Sequence, residues 1–283
     1  MKTLRYISFN LIPGLIILGM SLYGLILLYQ FTTSPLNPIH MKPSTFISTC
    51  CIAFVVMLIF LGCAAVDSQR KHIEYAAMID LTDSIKIVPD ENSVVADLGI
   101  DENIWNSANF SLGTFTDVSY TPHARISLAK APSRLTASEF TRKREVVAFK
   151  TNLSALLDSA RSDTSGKPNS SLYLPMVEEL TRLSNSTADR KVLVIYSDMM
   201  ENSLDLSFYS PNTLALLRTD PDKVKAMLFA KAKLPNLTSI EIKLIYLPKN
   251  AKDDAVFHTV SQFFSSMLSE AGATVSISAN LNN

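Results

Sequence analysis

Residues 74–86 read "EYAAMIDLTDSIK": an unbroken apolar run of strand length, then oxygen-bearing side chains at every second position, Asp80, Thr82 and Ser84. A strand that is apolar throughout, rather than alternating, suits a parallel sheet covered on both faces. Two further runs have the same character, "KVLVIYSD" (191–198) and "SIEIKLIYLP" (239–248). Between the first two lies "ANFSLGTFTDVSYTPHARISLAKAP" (108–132), which alternates and turns at Thr121-Pro122 like a pair of strands. Helical spacing marks 136–162, 172–184, 220–234 and 253–272, with Asp220 as an N-cap ahead of Pro221, and "ATVSIS" (273–278) closes the chain as a strand. Strands alternating with helices predict an α/β fold: a doubly wound, mainly parallel sheet with an antiparallel edge strand.

The 47% hydrophobic content of the 283 residues exceeds what such a domain needs, and the surplus lies at the front. Residues 7–29 and 45–66 are uncharged apolar runs, each long enough to cross a bilayer as a helix. Every Asp and Glu lies beyond them; residues 67–283 hold 26 acidic and 23 basic side chains, a near-neutral domain without the basic signature of nucleic-acid binding. Lys2 and Arg5 before the first run, and Arg70 and Lys71 after the second, favour a hairpin with both ends in the cytoplasm. A second reading takes "MKPSTFISTCCIAFVVMLIFLGC" (41–63) as resembling a bacterial lipoprotein signal peptide, with Cys63 the lipidated residue. Either way, residues 67–73 form a short tether and 74–283 the domain. All three cysteines, Cys50, Cys51 and Cys63, fall in the apolar region, leaving the domain no disulfide framework and no thiolate metal site.

Ligands of doubly wound sheets bind at the carboxyl ends of the strands, and two of the central strands end in Asp80 and Asp198. Ser, Thr and Asp in such loops also serve simply to cap the next helix. The combination of "DLTDS" with Ser197-Asp198 and the Ser-rich "GKPNSSLYLPM" (166–176) suggests more. Mg²⁺ or Mn²⁺ takes hard oxygen ligands and retains waters, so hydroxyls from two loops and carboxylates from two strand ends suit it.

The pattern Asp80-x-Thr82-x-Ser84 resembles the first loop, Asp-x-Ser-x-Ser, of the metal-ion-dependent adhesion site in von Willebrand factor A-type domains. The resemblance implies that Thr82 and Ser84 bind the ion directly and Asp80 mainly through water. Ser170, or failing it Ser171, stands for the family's second-loop Thr, and Ser197-Asp198-Met199 for its third-loop Thr-Asp-Gly. The implied metal set is Asp80, Thr82, Ser84, Ser170 and Asp198, with one position of the ion open to a carboxylate from a protein partner.

Enzymatic chemistry finds little support. Position 82 is Thr where a haloacid dehalogenase-type phosphatase needs Asp, eight glycines form no phosphate-binding loop, and His72, His123 and His258 face no nucleophile. The basic run Thr141-Arg142-Lys143-Arg144 reads as a solvated helix start or a lipid-headgroup contact. "DLSFYSPNTLALL" (205–217) follows the third loop and offers Phe208 and Tyr209 as an apolar rim for a partner, or packs on its own domain. The expected function is metal-dependent protein binding at a membrane; the alternative is a structural or scaffold subunit of a membrane complex with a vestigial metal site.

Overall fold

The computed structural model describes residues 70–80, 87–115, 123–132, 137–162, 171–203, 205–246 and 250–279. The chain divides into two compact units, Met1–Cys63 and Ala64–Asn283. The apolar runs at 7–29 and 45–66, and Cys63 with them, lie outside the described residues, among which no helix is long and apolar enough to cross a membrane.

The domain is a six-stranded sheet with helices on both faces. In chain order its elements are β1 (His72–Asp80), α1 (Glu91–Asp97), β2 (Ser107–Phe115), β3 (His123–Leu128), α2 (Glu139–Ser162), α3 (Tyr173–Ser184), β4 (Arg190–Tyr196), β5 (Asn202–Ser203), β6 (Leu206–Ser207), α4 (Pro211–Thr219), α5 (Pro221–Lys231), β7 (Ile240–Ile245), α6 (Ala251–Glu270) and β8 (Thr274–Ser278). The sheet order is β3-β2-β1-β4-β7-β8, parallel except for β3, which runs antiparallel to β2; β5 and β6 form a separate small hairpin. Counting the sheet strands alone, this is the doubly wound order, in which the chain starts in the middle, winds to one edge and returns to build the other half.

Two cores follow from that reversal. On one face Val94 and Val95 of α1 and Val146, Phe149, Leu153 and Leu157 of α2 pack on Tyr75, Ala77 and Ile79 of β1. On the other, α3, α4, α5 and α6 cover Ala76 and Met78 of β1, Leu193 and Ile195 of β4, and Ile242 and Leu244 of β7. Because β1 and β4 are buried from both sides, each alternate residue meets a different helical layer, and hence neither strand alternates in polarity. Asp220 accepts from Lys223 N (3.1 Å) as the expected cap of α5.

Two sequence expectations are corrected. Residues 211–219 are helix α4, not loop: Ser210 leads into Pro211 at the first helical position, where its fixed φ and missing N–H cost nothing. Arg142 is neither solvated nor available to lipid; it is 2% exposed. Its guanidinium donates to three backbone carbonyls, Ile104 O (2.7 Å), Ala129 O (2.9 Å) and Asn106 O (2.5 Å), and to Glu145 (2.8 Å). It thereby joins the start of α2 to the chain on either side of the β2–β3 pair.

Candidate functional site

Register places the first two site residues together. β1 pairs with β4 in parallel up to Ile79 opposite Tyr196, so the next step sets Asp80 opposite Ser197. Both point to the α3 side of the sheet, and Ser197 Oγ donates to Asp80 Oδ2 at 3.0 Å, with both residues 3% exposed. This junction of β1 and β4 is where the winding reverses, because the chain leaves β1 toward β2 and leaves β4 toward β7. A crevice opens at such a switch point since the two crossovers depart in opposite directions.

Asp198, half-buried, comes next. Its Oδ1 accepts from Met200 N (2.9 Å) and its Oδ2 from Tyr209 OH (3.3 Å). The turn itself is tight: Met199 N donates to Ser197 Oγ (3.0 Å) and Glu201 N to Met199 O (3.1 Å). Met199 adopts the left-handed conformation, φ 61°. That region favours glycine, the residue that the resemblance implies here, so the turn is kept although the glycine is not. The Met199 side chain is wholly buried in the α3-side core.

Glu201, which drew no attention in the sequence, ties this loop to the next. It is fully buried, and its Oε2 accepts from both Leu172 N and Tyr173 N (2.8 Å each), capping the first turn of α3 with a carboxylate 28 and 29 residues away in sequence. Negative charge there also meets the positive end of the helix. Lys231 stands 3.5 Å from Glu201 Oε1 and donates to Ser203 Oγ (2.5 Å). The Tyr173 phenol, which donates to Ala232 O (2.8 Å), is held well above its ordinary pKa by burial first and by the Glu201 charge second. The third loop therefore grips the start of α3, immediately after Ser170 and Ser171. The only sequence signal for it was a Glu three residues beyond Asp198 with no local partner.

Of the expected metal set, Asp80 and Asp198 are thus brought to one place, while Thr82, Ser84 and Ser170 lie outside the described residues; the alternative, Ser171, is described and half-buried. Among the described residues no group of three or more His, Cys, Asp or Glu is placed to hold a metal. An ion here would therefore depend on the hydroxyls. The donor set, two carboxylates and neighbouring hydroxyls, fits a hard divalent cation such as Mg²⁺ or Mn²⁺. The expected apolar rim is corrected in one half: Phe208 is fully buried, edge-on to Phe263 (6.1 to 6.4 Å being the separations of its ring from Phe264 and Phe263), because its backbone N–H is held by Glu201 O (2.9 Å) and turns the ring inward. Tyr209, 59% exposed, remains on the surface beside Asp198.

No family model matches the chain, and no curated protein matches it. Among solved structures it is similar to the VWA domain of SpRpn10, at 11% identity over 74% of this chain and 88% of that one, with a TM-score of 0.29. So remote a likeness adds nothing to the strand order. The sheet itself, mixed, mainly parallel and carrying one antiparallel edge strand, is of a kind that fits a von Willebrand factor A-like fold.

Proposed function

We propose that residues 67–283 form a binding domain that captures a protein partner through a divalent ion, Mg²⁺ or Mn²⁺, held by Asp80, Thr82, Ser84, Ser170 and Asp198. The observation that carries this reading is the meeting of Asp80 with Ser197-Asp198 at the switch point of the sheet, 117 residues apart in sequence and joined by a 3.0 Å hydrogen bond. When bound, the ion would supply an electrophilic position for a partner Asp or Glu carboxylate. This chain's own residues do the rest. Ser197 fixes the Asp80 carboxylate, the Met199 turn aims Asp198, and Glu201 holds the start of α3 against the same loop. Tyr209 is the exposed aromatic beside Asp198, suited to packing against an incoming partner. The reading includes no catalytic step. It also places the domain at a membrane, tethered by residues 7–29 and 45–66 with the domain in the cytoplasm, or by an acylated Cys63 with the domain outside it.

Calorimetry with Mg²⁺ and Mn²⁺ tests the site. Asp80→Ala and Ser84→Ala should each weaken binding while leaving the circular-dichroism spectrum unchanged. Partner capture should be lost in EDTA and return with Mg²⁺, since truncating one side of a buried charged pair costs about 2–5 kcal/mol. Capture that survives EDTA would instead make the chain a scaffold with a vestigial site, and unchanged ion affinity in both variants would refute the metal assignment.

A further inference from the structure

Exposed basic and aromatic side chains gather at the amino ends of the strands. Register sets the start of β1 beside the start of β2 (His72 opposite Ser107), and that beside the end of β3 (Ala108 opposite Leu128). The buried Arg142 brings the start of α2 to the same place through its bonds to Ile104 O, Ala129 O and Asn106 O. Arg70 closes the cluster, donating to Pro132 O (2.8 Å) and lying over the Trp105 ring, 5.4 Å from its centroid. Around this framework Lys71, Lys130 and Arg144 are exposed, and no acidic side chain among the described residues forms an ion pair with them. Acids nearby are engaged elsewhere, Glu139 with Lys143 (2.8 Å), Glu145 with Arg142 (2.8 Å) and Asp101 with Lys150 (2.6 Å), while Glu102 borders the same crevice as Lys71. Four residues before Arg144, on the same outward side of α2, Phe140 is 72% exposed, more than any other large apolar side chain described. A ring held in water among such cations suits an interface with lipid, where the ring leaves water and the cations meet phosphate.

The occupant follows from the reach of the chain. The uncharged run 45–66 ends four residues before Arg70, and Cys63 stands seven before it. Fully extended, either tether of the reading above therefore keeps Arg70 within about 14–25 Å of the lipid. We propose that Lys71, Lys130, Arg144 and Phe140 dock on an anionic phospholipid surface, the cations on headgroup phosphates and the ring between the headgroups. The proposal rests on the membrane part of that reading and is independent of the ion. Tethering makes the contact intramolecular, so a few individually weak charges suffice. Docking also decides what the candidate site can meet. β1 runs from this rim to Asp80, nine residues spanning about 26 Å, so the β1–β4 junction opens away from the bilayer, toward a partner.

Trp105 is the one tryptophan of the chain and lies in the floor of the rim, so its fluorescence reports on this surface directly. The full-length chain is reconstituted in phosphatidylcholine vesicles, with or without phosphatidylglycerol, that carry a nitroxide quencher on the lipid headgroup. Trp105 should be quenched about twofold more strongly with phosphatidylglycerol than without, and high salt should abolish the difference. Each cation is worth about fivefold in the docking equilibrium, so Lys130→Ser with Arg144→Ser should shift it about twenty-five-fold and remove the excess quenching. Phe140→Ser should reduce the excess, whereas Arg218→Ser with Lys223→Ser, exposed on α4 and α5, should leave it unchanged. All five positions are exposed, so folding is not at stake. A chain that leaves the vesicles in alkaline carbonate would remove the membrane reading and the docking with it. A chain that stays in them, with Trp105 quenching indifferent to lipid charge or to Lys130 and Arg144, would overturn the docking alone.

Discussion

Met199 sets two effects against each other. Its left-handed φ of 61° costs a side-chain-bearing residue about 1–2 kcal/mol, a penalty that Met199→Gly would remove. Its side chain, however, is wholly buried, and deleting a buried Met side chain costs about 2–5 kcal/mol in lost contacts and cavity. Burial wins. Met199→Gly should lower stability by roughly 1–3 kcal/mol, read as an earlier midpoint in urea denaturation; a stabilised variant would show that the turn, not the core, governs this position. The sequence allowed the turn to be placed but not the burial, because a substitution of Met for Gly looks like a change of backbone chemistry alone. Phe208 poses the same difficulty from the other side: a Phe in this loop reads equally as rim or as core until Glu201 O is seen holding its N–H, with the ring against Phe264.

At the scale of elements, each helix and sheet strand expected from periodicity between residues 74 and 283 is present, with bounds shifted by a few residues, while α4 was hidden in a segment whose leucines read as an apolar loop. Contacts across elements were illegible for a physical reason. A guanidinium that satisfies three carbonyls from remote segments, as Arg142 does, looks in sequence like any other member of a basic run. Glu201 is the corresponding case at the candidate site, and there the consequence is measurable. Glu201→Ala would leave the Leu172 and Tyr173 N–H groups without their acceptor and Lys231 without its carboxylate. The expected loss is roughly 2–5 kcal/mol in thermal or urea unfolding. Glu201→Gln, which keeps an acceptor oxygen, should lose distinctly less. Equal losses would mean that charge, not the cap, is what α3 requires.

For the molecule as a whole, alkaline pH probes both cores at once. Tyr75, Tyr173 and Tyr196 are all held above the ordinary phenol value, in each case by burial first, with Tyr196 and Asp97 adding at Tyr75, Glu201 at Tyr173 and Asp97 at Tyr196. Unfolded tyrosine ionises near pH 10, and above that the unfolded chain binds fewer protons than the folded one. Stability is therefore complete below about pH 10 and declines as pH rises from there toward the folded values. Phenolate absorbance should appear together with loss of the helical signal, in one transition; three tyrosines titrating while the helices persist would contradict their burial. The topology that buries them has a further cost in time. β1 begins the sheet, yet its partner on the β4 side is made more than a hundred residues later, Asp80 and Ser197 being 117 apart. At about 5–20 residues per second of synthesis, roughly 6–23 s elapse during which the most deeply buried strand of the domain has β2 along one side and nothing native along the other. A ribosome paused before residue 190 would hold the chain in its stickiest form, so the pace of translation through α2 and α3 bears on how much of this protein survives to fold.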